Sequence, residues 1–522
     1  MEPTPIEQDI QTTISRNAAV SIFANLFYLV TRLFIPPFIL HYLTLQEYGI
    51  WTICFIFVGY IGMGVFGISN VYLRYIAVYA SKNQIDMINK LVSTGLYFVG
   101  GVCLLSVPIL WLGLPYFLKL FNVKPELQAI AFTIVFGTTL AFLVDMVLSA
   151  FSYTLQSLQK FTIEKIFWMI SILVEAIVIV IALWMGWGLY GLLFAYIARV
   201  IVAAILFAAA CYRYIPGFSV ANHFDWSLVK LFYNYGGIVQ TTGILGIINR
   251  STERVFAGFF MGPPAAALYD VGEKFPMMAT TLPSSINAVL LPATTDLHAR
   301  EQHDQIRDVY LHSSRWINMM TGIMMGFMAP FAFILIKVWL GTDPKYYFAG
   351  VILAVFTFPY QMDVMTGPAS AIYRSINKPF REMVYSLLQL ALVLIAAVLI
   401  FIPWGATIWT INLVVASMMV VSVFIYVFLN NRFLKVPQGK FFWQVLFPGL
   451  VPYVVGFGLY WILHGWVLAH ESERWPTFWR LLTCLILYLG ITLPLMYRFL
   501  CPPEERIQVR KIFNKIALRQ QK

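Results

Sequence analysis

Hydrophobic and polar positions fall in long blocks along this chain. Apolar runs near twenty residues recur from end to end, and charged residues gather in the short stretches between them. About twenty apolar residues are what one helix needs to cross roughly 30 Å of hydrocarbon. The pattern predicts fourteen membrane-spanning helices, at 15–41, 48–73, 91–113, 127–151, 164–186, 189–212, 235–260, 265–291, 314–338, 348–372, 384–403, 406–430, 444–465 and 479–498. The expected class is therefore an all-α polytopic membrane protein. The first fourteen residues are polar and acidic, without the basic start and small-residue cleavage site of a secretory signal, so the first apolar block is expected to stay as span 1.

Composition sharpens this reading. Of the 522 residues, 60% are hydrophobic and only 11% charged, whereas soluble domains carry about 25% charged residues. The polar surface that would cover a soluble core is missing. The five cysteines, Cys54, Cys103, Cys211, Cys484 and Cys501, show no CxxC spacing, which argues against a disulfide framework or a zinc site.

The formal charge of +11 has a topological explanation. About 23 of the 35 Lys and Arg residues lie in the even-numbered connections and the C-terminal segment, against about six in the odd-numbered ones. Positive charge stays on the cytoplasmic side in short loops, so both termini are expected there, and nucleic acid is not an expected partner. In the tail, Val509, Ile512, Phe513 and Ile516 form an apolar stripe among Arg506, Arg510, Lys511, Lys515 and Arg519. It reads as a helix on the anionic leaflet or as a plain solvated tail.

No phosphate-binding loop, GxSxG elbow or metal-ligand spacing occurs, and no odd connection exceeds about fifteen residues. No catalytic residue, metal or cofactor is expected. Transport is the class that remains.

Its chemistry should reside in the ionisable residues inside the spans. These are Arg16, Arg32, Asp145, Glu175, Arg199, Arg250, Glu253, Arg254, Asp270, Glu273, Lys274 and Asp363. Each costs about 2.5–3.5 kcal/mol at mid-membrane, so together they would cost about 30 kcal/mol if all faced lipid. They must border water or one another. Arg250, Glu253 and Arg254 share one helix face, continued by Gly236, Gly243 and Gly246. That face reads either as a cationic phosphate site, since arginine forks onto phosphate oxygens, or as an ion pair joining spans 7 and 8. Asp270 and Lys274 stand at i,i+4 and could pair locally. Arg32 has no partner on its own helix, so it meets a ligand or a carboxylate on another span. Asp363 lies between Pro359 and Gly367-Pro368, where a bent helix with a carboxylate suits proton or sodium coupling. Its other reading is a cap on a freed backbone N–H.

A faint repeat accompanies these charges. RLF at 32–34 precedes EYG at 47–49, and RVF at 254–256 precedes LYD at 268–270. Duplicated halves around a site are a transporter architecture.

Three stretches carry a family resemblance: SRNAAVSIFANLFYLVTRLFIPPFILHYLTLQEYGIW, INRSTERVFAGFFMGPPAAALYDVGEKF and LPSSINAVLLPATTDLHA. They resemble the polysaccharide-transport branch of the multidrug and oligosaccharidyl-lipid exporter superfamily, in particular its Wzx-type O-antigen and exopolysaccharide flippases, with the lipid II flippases as cousins. Glu253-Arg254 stands where that family usually has Asp-Arg, followed by Gly258, Gly262 and Tyr269. The resemblance implies two six-helix lobes, 1–212 and 213–430, then an appended pair of spans at 431–498 and the tail at 499–522. Many Wzx-type members lack that pair.

The function it implies is flipping of a polyprenyl-diphosphate-linked oligosaccharide, a lipopolysaccharide or exopolysaccharide repeat unit, across the bacterial inner membrane. On this expectation Arg32, Arg250 and Arg254 hold the diphosphate, with Lys274 as a further phosphate candidate. Glu253, Asp270 and Asp363 tune their charge or carry a coupling ion, H+ or Na+. Membrane lipids and polysaccharide polymerase or assembly proteins are the other expected partners. A cation-coupled drug antiporter on the same fold and a non-transport scaffold of a polysaccharide assembly complex are the alternatives.

Overall fold

A computed structural model of the protein describes residues 5–62, 68–220, 224–234, 237–468, 473–500 and 506. Among these every regular element is a helix. In hydrocarbon a backbone must satisfy its own polar groups, which leaves the helix as the element for such blocks. The first six long helices are α1 (Pro5–Tyr42), α2 (Leu45–Gly62), α3 (Ile85–Leu120), α4 (Pro125–Ser157), α5 (Phe161–Trp184) and α6 (Gly188–Tyr214). After them come α7 (Gly237–Met261), α8 (Pro263–Gly272), α9 (Lys274–Ser284) and α10 (Ile286–Ala299). The rest are α11 (His303–Leu340), α12 (Tyr347–Met365), α13 (Gly367–Ser375), α14 (Phe380–Trp404), α15 (Ile408–Phe433), α16 (Phe447–Leu468) and α17 (Arg474–Leu495).

Among the described residues, twelve helices are long and apolar enough to cross a membrane, and they coincide with twelve of the fourteen expected spans. The remaining two, 235–260 and 265–291, are also helical. One falls short on apolarity and the other on length: α7 carries Arg250, Glu253 and Arg254, and the eighth span is broken into α8, α9 and α10. The tail from 507 onward, with its expected surface helix, lies outside the described residues.

Contacts divide the chain into two compact units, one of residues 1–270 with 406–411, the other of 271–405 with 412–522. In the first, α5 packs along α6 and α1, and α4 against α3 and α6. One of its cores gathers Tyr72, Phe151, Phe207 and Phe232. Helix α2 meets the start of α8 through Gly49, where a Cβ would stand 2.0 Å from the Pro263 carbonyl oxygen. Gly258 of α7 leaves room for the Phe121 ring, and Gly262 takes φ +83° in the turn into α8. The Tyr-Gly and Gly-Gly-Tyr motifs of the sequence thus sit where these helices touch.

In the second unit α11 is central, packing on α12 and α16. Lipid tails are as apolar as leucine, so helices in a membrane associate through close packing and buried hydrogen bonds. Both devices are present. A Cβ on Gly456 would stand 2.0 Å from the Gly326 carbonyl oxygen. Gln361 Nε2 donates to Asn318 Oδ1 at 2.8 Å and to the Gly449 carbonyl at 3.0 Å, and Asn318 Nδ2 donates to the Val445 carbonyl at 2.7 Å.

Two pairs of linkers repeat each other. Before α3 the chain reads Lys82-Asn83-Gln84, and before α11 it reads Arg300-Glu301-Gln302. Asn83 and Glu301 take φ 55° and 59°, and Gln84 and Gln302 share ψ near 68° and 65°. In both, the residue after the left-handed one donates its N–H five residues back, to Tyr79 and to Leu297, at 2.9 Å. This is the Schellman helix ending, usually built on glycine. The second pair, Gln159-Lys160 before α5 and Asn377-Lys378 before α14, does the same, with φ 58° and 56° and bonds back to Leu155 and Tyr373.

A methyl group at Gly49 should cost about 1–3 kcal/mol through overpacking, read as a lower melting temperature of the Gly49→Ala protein in detergent. Gly59→Ala, whose Cβ would meet nothing closer than Ile247 at 3.9 Å, should melt no lower than the parent.

Candidate functional site

Four of the intramembrane charges meet in the first unit. Arg32 on α1 forks onto Glu175 on α5, with Nη2 to Oε2 at 2.8 Å and Nη1 to Oε1 at 3.4 Å. Arg199 on α6 reaches Asp145 Oδ2 on α4 at 3.3 Å and Glu175 Oε2 at 3.8 Å. Glu175 is buried to 1% of its side-chain surface, while Arg32 keeps 27% and Asp145 34%. One sunken carboxylate therefore holds two guanidiniums whose outer edges remain open. Each arginine also lies over a tyrosine ring of its own helix, Arg32 over Tyr28 at 5.2 Å and Arg199 over Tyr196 at 4.7 Å. Cation–π attraction of this kind strengthens as the pair is desolvated. Of the two readings of Arg32, the structure displays the carboxylate on another span.

A second group adjoins it. Arg254 Nη1 on α7 lies 3.5 Å from Asp270 Oδ1 on α8, and Asp270 Oδ2 accepts the Tyr48 hydroxyl of α2 at 2.7 Å. Tyr60 and Ser251 make a further α2–α7 hydrogen bond at 3.1 Å. Arg32 and Arg254 both act electrostatically on the Tyr48 hydroxyl, so the two groups form one charged patch. Its ledger is even: Arg32, Arg199 and Arg254 against Glu175, Asp145 and Asp270. Glu253 is buried beside it on α7, and Arg250 is exposed, with its main-chain carbonyl accepting Arg254 Nη2 at 3.0 Å. The ion pair joining spans 7 and 8 runs from Arg254 to Asp270.

The other sequence candidates lie in the second unit. Lys274 opens α9, half-buried, and Glu273 beside it is buried. Asp363 sits one turn before the break between α12 and α13 at Thr366; Pro359 leaves α12 continuous. Its carboxylate accepts the Tyr385 hydroxyl at 2.8 Å, while its main-chain carbonyl receives the Thr366 N–H and hydroxyl. The backbone cap there belongs to the carbonyl.

Sequence reasoning missed Tyr28, Tyr48, Tyr196 and Tyr385. Two had a usable signal, because Tyr28 and Tyr196 precede their arginines by one helical turn. Tyr48 and Tyr385 reach their carboxylates across 222 and 22 residues, which no local spacing reveals. The Arg–Tyr echo also proves unequal: Tyr48 joins the charge network, whereas Tyr269 is fully buried with its hydroxyl 3.3 Å from the Ile408 carbonyl.

The solved structures this chain resembles share its architecture. The lipid II flippase MurJ in an inward closed conformation aligns with TM-score 0.66 and 15% identity, over 92% of this chain and 98% of that one. An inward-facing multidrug resistance MATE family transporter of the MOP superfamily aligns with TM-score 0.63 and 10% identity, over 79% and 94%. A Vibrio cholerae MATE transporter, VcmN, gives 0.57 and 14%, over 83% and 98%. The molecule is a multi-pass all-α membrane protein with the fold of MOP superfamily transporters. Within that class, the chain belongs to the family described as polysaccharide biosynthesis protein, whose profile matches residues 39–345. No curated protein sequence matches it.

Removing one partner of a buried ion pair costs about 3–5 kcal/mol. Glu175→Gln strands two arginines and should melt well below the parent in detergent. Asp145→Asn, at a more open carboxylate with Glu175 still in reach of Arg199, should lose less. Equal melting of the two variants would contradict Glu175 as the shared anchor.

Proposed function

We propose that the protein is a flippase moving a polyprenyl-diphosphate-linked oligosaccharide, an O-antigen or exopolysaccharide repeat unit, across the bacterial inner membrane by alternating access. The observation that carries this reading is the balanced Arg32–Glu175–Arg199–Asp145 and Arg254–Asp270 network. A diphosphate offers arginine the same bidentate acceptor geometry as a carboxylate, with more charge. Arg32 and Arg254 can exchange their carboxylates, Glu175 and Asp270, for the ligand, the exposed Arg250 is a third phosphate contact, and the released Asp270 can take up H+ or Na+. Lys274 is a further phosphate candidate; Glu253 and Asp363 tune charge or carry the ion. A ligand shifts a two-state equilibrium only by binding one state better, and an exchange of partners supplies that difference.

The polysaccharide biosynthesis family supports the substrate class. The MurJ likeness covers 92% of the chain and supports a lipid-carried cargo over a free solute. The repeated linkers support lobes at 1–212 and 213–430, leaving 431–498 as an appended pair, and the basic even-numbered connections support cytoplasmic termini. A cation-coupled drug antiporter shares the fold and is the second reading. Coupled carboxylates such as Asp145 favour it, and flipping assays separate the two. A scaffold of a polysaccharide assembly complex would leave the network without transport work.

In proteoliposomes loaded with a polyprenyl-diphosphate oligosaccharide, the wild-type protein should expose the sugar to an added membrane-impermeant glycosidase. Arg32→Ala combined with Arg254→Ala should slow exposure at least about tenfold, the scale of one or two charged hydrogen bonds. Unchanged flipping by the double variant overturns the diphosphate role. Efflux of small cationic dyes without flipping would instead identify the antiporter.

A further inference from the structure

The second unit holds a slot lined by none of the candidate charges, although Asp363 accepts the hydroxyl of one lining residue, Tyr385. It has a volume of about 300 Å³ and opens where three helices reach one membrane boundary: the end of α13, the start of α14 and the end of α15. Tyr373, Tyr385 and Tyr426 line it, with the Tyr385 and Tyr426 rings stacked at 4.4 Å. All three hydroxyls are committed within the protein: Tyr373 to Asn430 Oδ1 at 2.5 Å, Tyr385 to Asp363 at 2.8 Å and Tyr426 to Ser370 at 3.2 Å. Asn430, which also lines the slot, is different. It is 1% exposed, and its amide nitrogen, which acts on the nearby Tyr426 hydroxyl, completes no hydrogen bond of normal geometry among the described residues. A buried donor left unsatisfied costs about 1–3 kcal/mol, so this one points to an acceptor oxygen supplied by a ligand.

The rim and the outer wall say which ligand. Arg381 lies at the rim with its guanidinium 4.1 Å from the Phe433 ring centroid, and Lys378 Nζ lies 5.0 Å from the same ring. The nearby carboxylate Glu382 is taken by Arg374 through two bonds of 2.7 and 2.6 Å. Among the described residues Arg381 and Lys378 make no ion pair. The outer wall is Val384, Leu388 and Leu429, on helices whose exposed faces in a spanning chain meet hydrocarbon. A cationic rim, a buried amide donor and an apolar wall open to the bilayer follow in the order of phosphate, ester carbonyl and acyl chain. Basic pockets between membrane helices take anionic lipid headgroups in this way.

We propose that this slot binds one anionic phospholipid drawn from the bilayer. Its phosphate sits against Arg381 and Lys378, an ester carbonyl accepts from Asn430, and an acyl chain lies along Val384 and Leu429. The lipid contacts named use no residue of the flippase reading, although Asp363 of that reading holds the Tyr385 hydroxyl beside them.

Native mass spectrometry of the detergent-purified full chain tests it, with dioleoyl-phosphatidylglycerol or dioleoyl-phosphatidylcholine titrated in. One phosphatidylglycerol should be retained in preference to phosphatidylcholine. Arg381→Ala with Lys378→Ala should weaken that retention at least tenfold, and Val384→Trp, which fills the slot from an exposed position, should abolish it. Lys82→Ala, a cation at a different linker, should leave it unchanged. Equal retention of the two lipids, or retention indifferent to both slot variants, overturns the proposal. Full displacement of the lipid by millimolar inorganic phosphate overturns the acyl-chain part and leaves a free-anion site.

Discussion

An ionised side chain in hydrocarbon must find a counter-charge or water, and in the first unit Glu175 meets that demand for two arginines at once. Four helices, α1, α4, α5 and α6, are bound to one another through this carboxylate and its neighbour Asp145. Hydrophobic burial cannot choose helix partners inside a lipid environment that is equally apolar. Charge pairing can, because every wrong pairing strands a charge. Within this network the arginines keep open edges while the shared carboxylate does not.

The second unit solves its assembly problem with different chemistry. It relies on neutral amides, Asn318 and Gln361, and on glycines that let α11 and α16 approach to backbone contact. Amide bonds of this kind hold helices without a charge that a substrate could compete for. The two units thus differ in their joints: the first uses ion pairs between helices, the second largely neutral amides and close backbone contact. Asp363, tied to Tyr385 across a broken helix, is one of the ionisable groups that the second unit retains, with Glu273 and the Arg374–Glu382 pair.

Much of this was legible from the chain alone. The blocks announced the helices, because length and apolarity are the whole requirement for a span. The residues of the charge network were visible as outliers against their surroundings. What the pattern left open was who meets whom: Arg32 and Glu175 are separated by 143 residues, and periodicity speaks only to one helix at a time. The break in the tenth span fell at Thr366, beyond Asp363, because a proline inside an apolar helix can be accommodated where Gly367-Pro368 cannot. The Asn318–Gln361 network escaped notice because uncharged amides do not stand out in an oily block as arginine does.

The matched linkers carry a consequence of their own. Asn83 and Glu301, like Gln159 and Asn377, adopt the same left-handed backbone although their side chains have diverged. The left-handed region is costly for side chains other than glycine and asparagine, so the shared turn is held by its backbone bonds and not by its side chains. On the proposed two-lobe reading, copying of a six-span unit would give this match. Six is even, so each copy would begin and end on one face of the bilayer, and the second would insert in the same sense as the first.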